Sequence, residues 1–265
     1  MLHLTLPRRA LVLGLASLLL LGGAARSAEL QVVSSGGFAA AYRALAPKWE
    51  AKTGNKLVAN WGPSMGETKD AVPARLARNE PIDVVIMVGY ALDKLAEQGK
   101  VLPDSRMPLA RSGIGVVVKS GAPHPDVSTV DGLRRALLAA RSIAYSDSAS
   151  GVYIQNEMFK KMGIEEQVRG KARMIPAEPV GEVVARGDAE IGFQQISELK
   201  PIKGIDLVGP LPPELQLYTV FSAGVLASSA QQPAARDLIQ FLAAPEAASA
   251  ISDSGMEPLG VTHRQ

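Results

Sequence analysis

Residues 30–54, LQVVSSGGFAAAYRALAPKWEAKTG, contain a short apolar segment, a turn of small residues and a longer segment of mixed polarity. The apolar residues of LQVVSS predict a strand, and those from Phe38 onward recur at the spacing of an amphipathic helix that ends at Gly54. The turn SSGG joins the two. Its glycines let a ligand approach the backbone closely, and the helix that follows begins with unpaired N–H groups.

The same alternation continues along the chain and favours an α/β fold with parallel strands. Further strands are predicted within residues 56–62, 82–87, 111–123, 142–147, 189–195 and 218–227. Further helices are predicted at residues 69–80, 91–100, 127–140, 151–163, 180–188 and 233–255, with Gly99 ending the second of these and Ser128 or Thr129 capping the third.

A second α/β unit is predicted to be inserted within the first. We expect one lobe from residues 28–110 and 222–265 and another from residues 111–221, joined by two hinge crossings near residues 109–115 and 217–224. Two lobes joined in this way close around a ligand. The ligand site is then expected at the carboxyl ends of the strands, where helix N-termini face the cleft.

The first 27 residues have the pattern of a cleaved secretory signal peptide, which predicts a periplasmic protein. Arg8 and Arg9 precede an apolar run of about twelve residues, which is too short to span a bilayer comfortably. The chain has a net charge of +2, and the segment removes three arginines, which leaves −1. This charge gives no reason to expect nucleic acid or an anionic membrane as a partner, and the absence of Cys excludes disulfides.

Four turns after predicted strands are rich in Ser, Gly or Gln. They are VVSSGGF (32–38), NWGPSMGET (60–68), SDSASGVY (146–153) and GFQQISEL (192–199). A single turn of this kind is usually an ordinary helix cap. Four of them, two in each predicted lobe, favour a shared cleft that holds a small anion by neutral donors and helix N-termini.

The histidines that remain after the signal, His124 and His263, have no candidate nucleophile beside them. We therefore expect no metal and no cofactor. A proton-transfer enzyme would need a carboxylate, a tyrosine or a lysine. The candidates within or beside the turns are Glu67, Asp147, Tyr153, Glu198 and, more remotely, Tyr42, and of these Asp147, Glu67 and Tyr153 are the predicted catalytic residues. Taken alone, Asp147 is interpreted as a helix cap. Glu198 is interpreted as a solvated residue at a helix start.

In this order, the turns resemble the periplasmic molybdate-binding protein family of class II solute-binding proteins. VVSSGGF, LAPKWEAKTG, the strand with Asp83, SGVY and FLAAPEAASAISDSG carry the resemblance, which covers the predicted mature chain. It implies a two-lobed type II periplasmic-binding-protein fold with mixed or parallel sheets flanked by helices. It also matches Ser64 to a ligand-binding Ser, and Ser150 and Val180 to ligand-binding N–H groups.

This sequence departs from the family pattern at three places. Gly37 occupies the position of a Ser, Gln195 replaces a Tyr that reaches the oxyanion, and about four extra residues near Glu67–Asp70 lengthen the following helix. The departures favour a larger, flatter anion over a tetrahedral oxyanion. The predicted ligand-binding set is Ser34, Ser35, Gly37, Ser64, Ser148, Ser150, Val180 and Gln195.

The combination SSGGFAAAY, WGPSMG, SDSASGVY and GFQQISEL resembles the branch of this family that includes the bacterial aconitate isomerases. That branch implies interconversion of trans- and cis-aconitate by an allylic proton shift without a cofactor. The alternative is a receptor that delivers a molybdate-like oxyanion or a small carboxylate to an ABC permease. A monomer is the default expectation for either function.

Overall fold

The computed structural model describes residues 27–260, which fold into two sheets flanked by helices. Of the predicted signal peptide, residues 1–26 lie outside the described residues. Within residues 27–260, no helix is long and apolar enough to cross a membrane. The strands are β1 (Glu29–Ser34), β2 (Lys56–Trp61), β3 (Val84–Val88), β4 (Met107–Ser112), β5 (Ile114–Lys119), β6 (Ile143–Ser146), β7 (Ala172–Ile175), β8 (Ile191–Gln195), β9 (Ile205–Pro210), β10 (Thr219–Val225) and β11 (Glu257–Pro258).

Several helices follow strands closely, as the sequence pattern predicts. They are α1 (Gly36–Thr53), α2 (Val72–Ala77), α3 (Gly89–Glu97), α4 (Val130–Ala139), α5 (Ala149–Tyr153), α6 (Phe159–Lys161), α7 (Glu165–Val168), α8 (Val180–Arg186), α9 (Ile196–Leu199), α10 (Gln232–Ala243) and α11 (Ala248–Asp253). A π-helical segment, Ile154–Met158, joins α5 to α6. Thr129 caps α4 by accepting a hydrogen bond from the Gly132 N–H at 3.0 Å. It is one of the two caps, Ser128 or Thr129, that the sequence predicted.

Both sheets are mixed, which agrees with the predicted fold class. The first has the order β11-β4-β10-β3-β1-β2, and the second has the order β7-β6-β8-β5-β9. In the first sheet β1 pairs in parallel with β2 and β3, while β10 runs antiparallel to β3 and β4. In the second, β6 is parallel to β7 and β8, and β5 is antiparallel to β8 and β9.

The chain passes between the sheets twice. It leaves β4 at Ser112 and enters β5 at Ile114, and it returns from Pro210 to Thr219. The predicted lobe boundaries after residues 110 and 221 therefore fall within β4 and β10. Gln216 joins the two passages, because its amide accepts from the Ile114 N–H at 2.8 Å and donates to the Ile114 carbonyl at 3.0 Å.

Each lobe has its own apolar core. In the first lobe α1 packs three fully buried aromatic side chains, Phe38, Tyr42 and Trp49, against the sheet. The Trp49 indole N–H donates to Asp237 of α10 at 2.8 Å, which ties the C-terminal helix to the first one. The second core surrounds Phe193 of β8. Each sheet is therefore stabilised by its own core, and strand ends of both sheets lie between the lobes.

Three predictions about local structure were wrong. The helix expected at residues 69–80 is only Val72–Ala77, because Pro73 can occupy only the first turn of a helix. The extra residues near Glu67–Asp70 form a loop instead of lengthening that helix. Pro245 likewise ends α10, so the single helix expected at residues 233–255 is broken.

Strands β7 and β9, at the edges of the second sheet, were not predicted, since few of their side chains are buried.

Asp83 gives a direct test of how the first lobe is held together. Its carboxylate accepts from the Gln31 N–H at 2.8 Å and from the Ser229 hydroxyl at 2.5 Å, and the residue is 9% exposed. We expect Asp83→Ala to lower the free energy of unfolding by about 2–3 kcal/mol, because two donors lose a charged acceptor. Urea unfolding measures the loss. The exposed Asp253→Ala serves as control, and an equal effect of the two substitutions would contradict the assignment.

Candidate active site

A cavity of about 320 Å³ lies between the two lobes at the carboxyl ends of the strands. Residues 35–37 and 61–64 line it from the first lobe, and residues 146–149 and 194–195 line it from the second. All four predicted turns therefore meet there. A larger cavity of about 690 Å³ lies between residues 124–128 and 208–218, but none of the predicted site residues lines it. The chemistry of the lining residues assigns the site to the interlobe cavity.

The first turn supplies a free hydroxyl and a helix start. Ser35 occupies the N-cap position of α1 without a side-chain capping bond, and its buried Oγ has no partner among the described residues. Ser34 lies behind it and donates to the Ser35 carbonyl at 3.1 Å, outside the lining. Ser35 is thus the serine of this turn that is available to a ligand.

Gly37 lies beneath the ring of Phe221, a cavity-lining residue of β10. A Cβ atom at Gly37 would lie 2.1 Å from the Phe221 ring, which is far inside van der Waals contact. A Ser at position 37 would therefore displace the ring.

The second turn contributes Ser64 and Thr68. The Ser64 Oγ accepts from the Val88 N–H at 2.9 Å, which leaves its own proton free for a ligand. The Thr68 hydroxyl is buried, lines the cavity and has no partner within residues 27–260. Glu67 is exposed and is not a lining residue, so the structure does not bring this candidate base to the cavity.

Three serine hydroxyls meet at the third turn. The Ser146 Oγ lies 2.7 Å from the Ser148 Oγ and 3.1 Å from the Ser150 Oγ, while Ser148 and Ser150 are 3.4 Å apart. Helix α5 begins at Ala149, and Ser148 at its N-cap position makes no side-chain capping bond. Ser150 is fully buried behind the lining. The cluster is therefore a set of mutually bonded hydroxyl groups.

Gly151 makes the serine cluster possible. A Cβ atom at this position would lie 1.5 Å from the Ser146 carbonyl oxygen, so only glycine lets α5 start so close to β6. Tyr153, two residues later, points into the second lobe and donates to the Leu215 carbonyl at 2.7 Å. It does not line the cavity, and the structure therefore does not bring this second candidate to the other site residues.

Two glutamines complete the second lobe's contribution. The Gln194 Oε1 accepts from the Val180 N–H at 2.8 Å, so the N–H group that the family pattern offers to a ligand already has an internal partner. Val180 itself does not line the cavity. Gln195 donates to the Thr219 hydroxyl at 2.8 Å, and its buried Oε1 lacks a partner in the described part of the chain.

The charged residues that line the cavity are all acidic. They are Asp70, Asp147, Glu178 and Glu198. Asp70 is paired with Arg75 at 3.1 Å and Glu178 with Arg186 at 2.5 Å, so these two charges are largely compensated. Across residues 27–260, no three His, Cys, Asp or Glu side chains form a group that could hold a metal ion. Asp147 and Glu198 are therefore the two carboxyl groups of the lining that have no basic partner in this structure.

Asp147 is held by a single backbone bond. Its Oδ2 accepts from the Ala177 N–H at 3.1 Å. Ala177 has a φ of 56°, in the left-handed region that costs a non-glycine residue free energy. The strained turn thus positions Asp147 at the cavity while leaving most of its acceptor capacity unused.

Glu198 was interpreted as a solvated residue, but the structure directs its carboxyl group inward. A Cβ atom at Gly36 would lie 2.2 Å from the Glu198 Oε1, so the group reaches across to the first turn of the other lobe. Some of the residue's surface stays exposed, whereas the carboxyl group itself is buried. Burial raises the pKa of Glu198 to about 7; a hydrogen bond from Gln194 opposes this and the negative charge of Asp147 adds to it.

Comparison with known proteins agrees with the architecture. The family model for bacterial extracellular solute-binding proteins matches residues 30–257. An aconitate isomerase from Pseudomonas sp. is 52% identical over 230 residues, which cover 87% of this chain and 88% of the relative. The molybdate-binding protein ModA from Azotobacter vinelandii is 26% identical over 245 residues, covering 89% of this chain and 92% of that protein. The solved Azotobacter vinelandii periplasmic molybdate-binding protein superimposes with a TM-score of 0.69 at 22% identity, covering 86% and 98% of the two chains.

The burial of Glu198 predicts a specific dependence of stability on pH. Because its folded-state pKa of about 7 exceeds the ordinary value of 4.5, the folded state retains a proton that the unfolded state releases between these values. This group's contribution to the free energy of unfolding therefore falls as pH rises through that window, by at most about 3 kcal/mol. We expect Glu198→Gln to remove the dependence.

Urea unfolding at pH 5, 6, 7 and 8 measures the effect as a difference between the variant and the wild type. The difference should grow up to about pH 7 and then level off. The exposed Glu182→Gln on α8 is the matched control and should give a difference that does not change with pH. A constant difference for Glu198→Gln would show that its carboxyl group is solvated.

Proposed function

The chain belongs to the bacterial extracellular solute-binding protein family, and from this premise we propose that it is an aconitate isomerase built on the binding-protein fold. The observation that carries the proposal is the pairing, in one cavity, of neutral donors with two carboxyl groups that lack basic partners. A receptor for an anion needs the donors alone, because an uncompensated carboxylate repels its ligand. An enzyme that moves a proton needs both.

The donors suit a ligand with several carboxylates. The donors come from three different turns that line the cavity: Ser35 with the start of α1, Ser64 with Thr68, and the Ser146–Ser148 pair. Each can donate to a carboxylate oxygen, and the two lobes both contribute. The cavity volume of about 320 Å³ is at the small end of the range for ligand sites, which suits a small tricarboxylate.

The chemistry is a proton shift along an allylic system. Aconitate carries a methylene group next to a carboxylate and to a double bond, so removal of a methylene proton gives a carbanion that is delocalised over the double bond and carboxylates. Return of a proton to the former vinyl carbon moves the double bond. The conformation about the former single bond, when the methylene proton leaves, decides whether the new double bond is cis or trans. Hydroxyl and backbone donors stabilise the charge that develops.

Asp147 is the proposed base. It lines the cavity, and its one hydrogen bond to the Ala177 N–H leaves acceptor positions free. Glu67 is exposed and Tyr153 is bonded to the Leu215 carbonyl, so neither has a place in the proposed reaction. No cofactor enters the scheme, since proton transfer between carbon and oxygen requires none.

The family is one of exported proteins, and the finer localisation is a proposal. We place the protein in the periplasm, with residues 1–27 as a cleaved signal, and propose that it acts as a monomer. The alternative function is the receptor of an ABC importer for molybdate-like oxyanions or small carboxylates. Its support is the 26% identity to ModA, and the bond that already satisfies the Val180 N–H counts against an oxyanion held in the family manner.

We expect the purified protein to convert trans-aconitate to cis-aconitate, measured by proton NMR without added metal or cofactor. Asp147→Asn keeps the shape of the side chain but removes the base, so kcat should fall by about 10²-fold or more. Asp253→Asn, on the exposed face of α11, is the control and should retain wild-type activity.

The receptor alternative gives the opposite pattern. It predicts no turnover and an increase in the melting temperature with molybdate or a small carboxylate, because a ligand that binds only the folded state stabilises it. Turnover by Asp147→Asn at the wild-type rate would leave the isomerase standing and remove Asp147 as its base.

A further inference from the structure

We infer that Glu198 is a second catalytic residue, whose protonated carboxyl group returns the proton to the substrate carbon in the isomerisation. This inference rests on the proposed function and assigns a role that Asp147 does not fill. An allylic shift moves a proton between two carbons, so the proton leaves at one end of the system and arrives at the other. Two carboxyl groups on the wall of one cavity can serve the two ends.

The position of Glu198 is set by the fold on both sides. Helix α9 begins immediately after β8, which places Glu198 at the strand end with the other lining residues. Its carboxyl group then extends to Gly36 at the start of α1 in the first lobe. The group therefore lies at the junction of the lobes, where a substrate held by both would contact it.

Gln194 orients the carboxyl group. Its Oε1 is occupied by the Val180 N–H, so the amide NH₂ is the end that faces Glu198 and offers it a hydrogen bond. No Lys, Arg or His of the described residues forms an ion pair with Glu198. The group is therefore held in place by a neutral donor and is not locked in its ionised form.

The surrounding charges favour a proton on Glu198. Asp147 is the negative charge that acts on it, while Asp70 and Glu178 are compensated by Arg75 and Arg186. Burial is the larger influence and raises the pKa of Glu198 to about 7, so the acid form is well populated at neutral pH. A tricarboxylate in the cavity adds further negative charge, which favours the protonated form again.

The step balances without any other reactant. Asp147 takes the methylene proton, and the C–H electron pair enters the delocalised system. The Glu198 O–H bond then breaks, its proton forms the new C–H bond at the former vinyl carbon, and the carboxylate keeps the O–H electron pair. Asp147 ends protonated and Glu198 ionised, and exchange with solvent restores both, so the site gains and loses one proton in each turnover.

The test follows two reactions of trans-aconitate in D₂O by proton NMR. One is isomerisation, and the other is exchange of the methylene hydrogens of unreacted substrate with solvent deuterium. We expect Glu198→Gln to slow isomerisation by about 10²-fold or more, because the proton cannot be returned at the far end. Exchange should stay within about tenfold of the wild type, because Asp147 can still remove and replace the methylene proton.

The controls are Asp147→Asn, which should lose both reactions, and Glu182→Gln on α8, which should lose neither. Isomerisation by Glu198→Gln within about threefold of the wild type would overturn the inference. So would loss of exchange as complete as in Asp147→Asn, since Glu198 would then act in the first step. If the wild type shows neither reaction, the proposed function fails and this inference falls with it.

A second variant tests the same contact from the other lobe. Gly36→Ala places a methyl carbon 2.2 Å from the Glu198 Oε1, and the flexible Glu198 side chain is the part that must move. We expect the substitution to slow isomerisation more than exchange, as Glu198→Gln does. In the Glu198→Gln background it should add less than about threefold, because the group that it displaces is no longer an acid. Equal effects in the two backgrounds would overturn the inference.

Discussion

The contact between the Glu198 carboxyl group and Gly36, across the gap between the lobes, is the constraint on which the site depends. It requires a residue without a side chain at the start of α1, since a Cβ atom there would lie 2.2 Å from the carboxyl oxygen. The contact also buries the Glu198 carboxyl group, which the sequence alone predicted to be solvated. Burial raises the pKa of this group. Both lobes are therefore needed to set the acidity of one residue.

The proposed site would hold an anion beside acidic side chains, and the donors that line it are neutral. The hydroxyls of Ser35 and Thr68 lie buried at the cavity wall without a partner among residues 27–260, and Ser64 keeps a free proton. Such donors stabilise a negative charge without an ion pair that would hold the product. In our proposal the family's fold supplies an anion site, and Asp147 and Glu198 at the strand ends supply the reactivity.

Much of the fold could be predicted, because it depends on local patterns. Apolar periodicity located β1 and α1, and Thr129 was identified as one of two possible caps. The failures have two separate causes. Edge strands β7 and β9 bury few side chains and so lack an apolar pattern, and the loop before α2 follows from the position of Pro73.

By itself the sequence determined that small donors gather at four strand ends, because the order of strand, turn and helix is encoded within a few residues of each turn. Only the tertiary structure decided which side chains face the cavity. In the tertiary structure Tyr153 points into the second lobe and Gln194 accepts a hydrogen bond from the Val180 N–H. Phe221 packs against Gly37. Gly36, which contacts the Glu198 carboxyl group, and Asp147, whose negative charge acts on it, are both distant from Glu198 in the chain. No local sequence pattern predicts these contacts.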